Sequence, residues 1–172
     1  MQVCPYHSIS LLDIKDGYSN GTAYIDPKKR GCYLCDLFPC VLACPSGALD
    51  HATKVVDDVK MGVAVLSNAN ACMCLKREKL SEDSVEDLLV RKVYNDREEA
   101  EKDKIKGKIG QICDLCVSIC PVGDSAIVMS EANLPLIKHG CVGCGVCAEV
   151  CPVKIINIAP KMSYDEIYKE KE

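Results

Sequence analysis

The feature that most constrains the fold of this chain is a run of four cysteines in its C-terminal quarter. The spacing C-x2-C-x2-C-x3-C is formed by Cys141, Cys144, Cys147 and Cys151, and Pro152 follows at once. Three thiolates two residues apart can surround three corners of a [4Fe–4S] cubane, while the fourth reaches a neighbouring cluster. The spacing therefore predicts iron–sulfur chemistry, and the glycines between these cysteines let the backbone bend tightly around inorganic sulfide.

Three further Cys-Pro endings make this pattern an internal repeat. A second full motif, C-x2-C-x4-C-x3-C, consists of Cys32, Cys35, Cys40 and Cys44. A third motif, C-x2-C-x3-C, lacks one thiol, which Cys72 or Cys74 upstream could supply, and it consists of Cys113, Cys116 and Cys120. The last ending is the isolated pair Cys4-Pro5. A disulfide framework and structural zinc sites are less consistent with this pattern, because neither requires repeated Cys-Pro endings.

The exchange of fourth cysteines between motifs, as in two-cluster ferredoxins, predicts three complete ligand sets in this chain. The first set is Cys141, Cys144, Cys147 and Cys120. The second set is Cys113, Cys116, Cys151 and either Cys72 or Cys74. The third set is Cys32, Cys35, Cys40 and Cys4. Cys44 is left without three partners, so we expect Met1 to be an internal methionine, with the missing motif encoded upstream.

These sets predict an α+β fold of two tandem bacterial-ferredoxin-like two-cluster modules, with short strands and short helices around the clusters. The first module is expected over residues 1–71, a link with a charged insertion over 72–112, the second module over 113–160, and an exposed tail over 161–172. An antiparallel hairpin is expected from strands over Ser8–Ile14 and Thr22–Ile25, with turn residues at Asp16-Gly17 and Asn20-Gly21 between them. Further short strands are expected over Ala126–Met129 and Ile155–Ile158, and Ser163 is expected to cap a helix in the tail.

The insertion is compositionally distinct, because 20 of the 33 residues in Lys76–Lys108 are charged, ten of each sign. Apolar residues at helical spacing predict one helix from about residue 82 to 104, closed by Gly107 and Gly110. We interpret it as a surface excursion rather than a docking arm, since balanced charge favours no partner. Lys28–Arg30 is likewise interpreted as a solvated basic loop, and the three histidines as surface or hydrogen-bonded residues.

Composition excludes several functions. A formal net charge of −4 argues against nucleic-acid binding. The longest apolar run, Met61–Leu66, is too short to span a bilayer. The sequence contains no Walker loop, dinucleotide fingerprint or Ser/His/Asp arrangement, so no catalytic residue and no substrate site of its own are predicted. A single Phe and no Trp leave few large side chains for a core, so cluster binding is expected to drive folding.

Several stretches go beyond a generic ferredoxin pattern, notably Gly21–Tyr24, Phe38–Asp50 and Met61–Leu66 ahead of a lone cysteine. They resemble the ferredoxin-type proteins of periplasmic nitrate reductase and methylamine-utilisation operons, the NapG/MauM family. The resemblance covers most of the chain apart from the insertion and the tail, and in it Cys72 rather than Cys74 falls on the ligand position. The chain then looks truncated at its N-terminus.

This resemblance implies a subunit with four [4Fe–4S] clusters, the fourth requiring the missing N-terminal motif. It implies periplasmic export, a membrane-bound iron–sulfur quinol dehydrogenase partner, and redox proteins as acceptors. The chain itself would be peripheral to the membrane at most, and cytoplasmic if the resemblance misleads. Two alternatives stay open: the electron-transfer subunit of a molybdopterin oxidoreductase, and a structural zinc-binding interaction module.

Overall fold

The computed structural model describes residues 3–15 and 20–169, and its elements are short. Only one helix in this part of the chain, with 11 residues, is longer than five. The helices are α1 (Pro39–Leu42), α2 (Glu86–Leu89), α3 (Asp96–Lys106), α4 (Leu115–Ser118), α5 (Val146–Val150) and α6 (Tyr164–Tyr168). The strands are β1 (Ser10–Leu11), β2 (Ala23–Tyr24), β3 (Gly62–Leu66), β4 (Ile127–Met129), β5 (Pro135–Ile137) and β6 (Ile156–Pro160). The mixed character predicted from the sequence is confirmed.

The strands form three two-stranded antiparallel sheets, β1–β2, β3–β6 and β4–β5. The predicted hairpin near the N-terminus is confirmed as β1 and β2, although only two residues of each strand pair. Of the turn residues expected between them, Asn20 and Gly21 form a turn, whereas Asp16 and Gly17 lie outside the described residues. The two predicted C-terminal strands are confirmed as β4 and β6, each shifted by one residue at its start.

The sheet of β3 and β6 joins distant parts of the chain, since residues 62–66 pair with residues 156–160. Val63 lies opposite Ala159, and Leu66 lies opposite Ile156. Val63 is fully buried, so this sheet is part of the core. The strand that leads from the first motifs to Cys72 is thus held by the strand that follows the last motif. The module boundaries given above remain a prediction.

The prediction of one helix from about residue 82 to 104 is wrong, because the segment breaks in the middle. A 3-10 turn at Asp83–Val85 leads into α2, and α3 starts only at Asp96. Asn95 has an extended backbone, and its side chain accepts hydrogen bonds from the amides of Arg97 and Glu98. This side-chain cap starts a new helix, and Gly107 ends it as expected.

The interpretation of the insertion as a surface excursion is also wrong. Leu80, Val85 and Ile105 are at most 2% exposed and belong to one of two hydrophobic clusters. That cluster also contains Leu34 from the first cysteine-rich segment and Val146 from α5. The insertion therefore supplies core residues that pack with residues from both halves of the chain. The balanced charge of the insertion gave no indication of this in the sequence.

The tail helix is confirmed as α6. Ser163 caps it, and the hydroxyl and backbone amide of Ser163 both contact the Glu166 carboxylate at 2.6 Å. The Tyr168 hydroxyl donates to the Ala64 carbonyl at 2.9 Å, so α6 rests on β3 instead of projecting freely. No helix in the described ranges is both long and apolar enough to cross a bilayer.

Candidate metal centres

The first cavity is lined by all four thiols of the first predicted set. Its walls include Ala64, Ile127 and Ile137, and its thiols are those of Cys120, Cys141, Cys144 and Cys147. Helix α5 carries Cys147 inward, and the loop before α5 carries the other two thiols of that motif. The structure thus brings Cys120 of one motif to three cysteines of another, in an apolar setting.

The loop around this cavity depends on glycine. Gly143 has a φ of +71° and Gly145 a φ of +83°, a left-handed conformation that L side chains rarely adopt. A Cβ on Gly143 would lie 2.5 Å from the carbonyl group of Gly62 in β3. The Cys141–Cys147 loop can therefore lie this close to β3 only without a side chain at Gly143. The amide of Ala64 in β3 in turn donates to the Cys141 sulfur at 3.4 Å.

The second cavity is lined by every candidate of the second predicted set. Its thiols are those of Cys72, Cys74, Cys113, Cys116 and Cys151. A 3-10 turn at Ala69–Ala71 delivers the first pair of thiols, and Cys151 follows the end of α5. Met129 and Pro152 line the same cavity, and the Met129 sulfur lies 3.6 Å from the Cys74 sulfur. The sequence did not single out Met129.

The third predicted set also lies together. Burial raises the pKa of Cys35 to about 11, and the neighbouring charges of Cys4 and Cys32 raise it further in the same direction. Burial likewise raises the pKa of Cys40, where Cys4 is again a neighbour. The amide of Ser8 donates to the Cys4 sulfur at 3.4 Å. Cys4 is buried, whereas Cys32, Cys35 and Cys40 are half-buried.

Cys44, left without partners in the sequence, lies at the edge of the third set. Its sulfur is 3.5 Å from the Ser46 hydroxyl, and His51 contacts its carbonyl at 2.9 Å. The Ser46 hydroxyl and nearby backbone amides lower the pKa of Cys44 to about 7. These surroundings favour the thiolate of Cys44 over its thiol.

Burial raises the pKa of several thiols of the first two sets. It raises the pKa of Cys113 to about 11 and of Cys144 to about 12, and it raises the pKa of Cys147 well above the ordinary range. Neighbouring thiolates add to each shift, because like charges repel at low dielectric constant. A group of thiolates buried in this way needs a cationic centre among them to stay ionised. The four thiols of the first cavity and the five of the second fit iron–sulfur ligation.

All fourteen cysteines are free thiols, so no disulfide competes for the predicted ligands. Within residues 3–15 and 20–169, no three His, Cys, Asp or Glu side chains converge closely enough to hold a single metal ion. The thiols border cavities instead of meeting at a point.

An ion-pair network beside the third set was missed by sequence reasoning. The interpretation of Lys28–Arg30 as a solvated loop is wrong for Arg30, whose side chain is only 11% exposed. Its guanidinium contacts Glu98, Glu101 and Glu149, all of which are buried. No local pattern marks Arg30, because all three carboxylates lie at least 68 residues away along the chain.

Comparison with known proteins finds similarity over most of the chain. Residues 137–157, which hold the loop and helix of the first cavity, match the 4Fe-4S binding domain family. The ferredoxin-type protein NapG of Escherichia coli K12 is 30% identical over 162 residues, which cover 88% of this chain and 56% of NapG. The chain is homologous to the NapG and MauM ferredoxin-type proteins.

Other NapG and MauM proteins match over the same extent. The methylamine utilization ferredoxin-type protein MauM of Paracoccus denitrificans is 29% identical over 159 residues, or 88% of this chain and 56% of MauM. NapG of Haemophilus influenzae is 27% identical, in an alignment that covers 93% of this chain and 50% of that NapG. The chain thus spans about half the length of these relatives. No solved structure matches the chain.

Proposed function

We propose that this chain is an electron-transfer protein that holds three [4Fe–4S] clusters, arranged as two tandem ferredoxin-like modules over residues 1–71 and 113–160. The link over 72–112 contributes one ligand, and the tail over 161–172 contributes none. Cys44 would belong to a fourth cluster whose other thiols this sequence does not contain. The homology to NapG and MauM and the 4Fe-4S binding domain at residues 137–157 support the class of protein.

The observation that carries this proposal is the composition of the first cavity. Cys120 ends one motif and Cys141 begins another, yet both line the same apolar space with Cys144 and Cys147. This is the exchange of the fourth cysteine that two-cluster ferredoxins use. A disulfide framework gives no reason for four free thiols around one cavity.

The second cavity offers five thiols for four ligand positions, and the neighbours of each thiol favour Cys72. The charge of Cys72 raises the pKa of both Cys113 and Cys116, so its sulfur lies near both. The sulfur of Cys74 contacts the Met129 thioether, which lines the wall of the same cavity. We therefore infer that Cys72 is the ligand and that Cys74 packs against the cavity wall.

The residues around the thiols have three tasks. They hold the sulfur atoms at fixed positions, they keep water out with walls such as Ile127 and Ile137, and they donate hydrogen bonds to sulfur, as Ala64 does to Cys141. Hydrogen bonds to sulfur and exclusion of solvent are the means by which a protein sets a cluster's reduction potential. A bound [4Fe–4S] cluster supplies a centre that accepts and releases one electron.

The resemblance to NapG and MauM supports a wider role for the whole protein. We infer a periplasmic location and a relay from a membrane-bound iron–sulfur quinol dehydrogenase to a redox-protein acceptor. The location is tested by fractionating source cells and probing each fraction with an antibody to this chain. Recovery with cytoplasmic markers would contradict the proposed relay and leave the cluster assignment intact.

The cluster assignment is tested by anaerobic reconstitution, followed by measurement of iron, acid-labile sulfide and zinc per chain. Three complete ligand sets predict about twelve irons and about twelve sulfides, with electron paramagnetic resonance signals of interacting [4Fe–4S] clusters after reduction. A protein that binds zinc and contains no sulfide would refute electron transfer and favour a structural zinc module.

A further inference from the structure

The Arg30 side chain is a point where four separate segments meet. Its Nε donates to the Tyr6 carbonyl at 2.8 Å, two residues after Cys4. Its Nη1 lies 2.8 Å from a Glu149 oxygen on α5, and its Nη2 lies 2.9 Å from a Glu101 oxygen on α3. A planar guanidinium with five donors in a fixed fork suits such a junction, which a lysine cannot reproduce.

The aromatic rings beside the third thiol set complete this junction. Tyr6 and Tyr33 stack with their centroids 4.3 Å apart, and the Arg30 guanidinium lies 4.9 Å from the Tyr33 centroid. The Tyr33 hydroxyl also donates to Glu101. Tyr6 follows Cys4, and Tyr33 lies between the first two cysteines of its motif. The stack therefore ties together the two parts of the chain that supply the third set.

The backbone next to Arg30 lies directly on the loop of the first cavity. The Cys32 amide donates to the Cys144 carbonyl at 2.7 Å, and the Gly31 amide donates to a Glu149 oxygen at 2.7 Å. A Cβ on Gly31 would lie 2.5 Å from the Val146 nitrogen, so the two segments are in full contact. Cysteines from two different predicted sets are thus joined by one hydrogen bond.

The charged insertion closes this junction from outside. Glu98 and Glu101 of α3 pair with Arg30, and Arg91 pairs with Glu149, which is fully buried. The Asn95 side chain, besides capping α3, donates to the Pro5 carbonyl at 2.6 Å. The insertion contacts the Cys4 segment, the Cys32 segment and α5, while its apolar residues pack in the shared core.

From these contacts we propose that Arg30 is a positioning residue that holds the third thiol set against the loop of the first, with the segment 76–108 acting as an internal clamp. This inference rests on the proposed function, because the two thiol sets that the clamp holds together are proposed cluster sites. The three buried carboxylates and two guanidiniums are mutually dependent, so the loss of one partner leaves uncompensated buried charge.

The test uses reconstituted protein and two conservative variants, since truncating Arg30 outright risks misfolding. Arg30→Lys keeps the charge and loses the fork, and Glu101→Gln keeps the shape and loses a charge. The matched control is Glu99→Gln, which removes the same charge from the exposed face of the same helix. Two readouts are taken: hydrogen exchange of peptides spanning 27–34, and the rate of iron release to a chelator.

In both variants we expect amide exchange in residues 31–32 to accelerate at least about tenfold, with the control unchanged. About four of about twelve irons should be released faster, and the rest at the wild-type rate. Equal acceleration for all the iron would indicate a general loss of stability and would overturn a positioning role, as would variants that match the control. A wild-type protein that binds no iron would refute the proposed function. If residues 31–32 of that iron-free protein still exchanged slowly, the clamp would stand on its own.

Discussion

Gly143 provides the sharpest test of how the first cavity is built. It lies between two cysteines of the 4Fe-4S binding domain, and its φ of +71° is costly for any residue with a side chain. A Cβ there would lie 2.5 Å from the carbonyl carbon and oxygen of Gly62. Gly62 cannot move away, because it belongs to β3 and pairs with Pro160 of β6.

The expected cost of Gly143→Ala has two parts. The left-handed backbone costs about 1–2 kcal/mol for an alanine. The contact with β3 adds about 1–3 kcal/mol, as over-packing of a close-packed interior does. The chain offers a matched control in Gly110, which has a φ of +83° and nothing within 4 Å of an added Cβ. Gly110→Ala therefore carries the first cost without the second.

The assay is anaerobic thermal unfolding of the iron-loaded proteins, followed by circular dichroism and by loss of visible absorbance. A difference of about 1–3 kcal/mol predicts an apparent midpoint about 2–12 °C lower for Gly143→Ala than for Gly110→Ala. We also expect Gly143→Ala to purify with about four irons fewer than the control. Equal midpoints and equal iron contents in the two variants would refute the close contact between this loop and β3.

Three further predictions concern the ligands, the role of metal and the tail helix. Cys72→Ser should remove about four irons per chain and Cys74→Ser none, measured by iron content after reconstitution; the reverse result would make Cys74 the ligand. Removal of iron by a chelator should leave the apoprotein largely without native structure, because cluster binding is expected to drive folding of this chain. A native-like far-ultraviolet circular dichroism spectrum of the apoprotein would contradict this. The Ser163 hydroxyl and amide hold the pKa of Glu166 below its ordinary value, so their support of α6 is complete above the unfolded pKa of that carboxyl. This support of α6 should be lost as the pH falls through the lowered pKa of Glu166 in the folded protein. Hydrogen exchange of α6 measured against pH should show the loss, and Glu166→Gln should abolish this pH dependence.

The sequence predicted the local features of the chain well, because their causes are local. Cysteine spacing predicted which thiols lie close together, and the companions of Cys120 and Cys151 border the expected cavities. The prediction that Ser163 caps a helix is confirmed, because a helix cap depends only on residues about three positions away, here Glu166. The prediction of one helix over 82–104 is wrong for a related local reason. Asn95 caps a new helix at this point, and apolar spacing alone does not reveal such a break.

The sequence by itself determined the chemistry: twelve of its fourteen cysteines lie in repeated Cys-Pro motifs, and this pattern made iron–sulfur ligation the best interpretation of a chain with few aromatic residues. Only the tertiary structure decided how the charged insertion is used and which part of the chain surrounds Arg30. The partners of Arg30 on α3 and α5 lie 71 and 119 residues away in sequence. Whether a charge is solvated or buried in a network depends on how the chain folds back on itself, and neither composition nor periodicity carries that information.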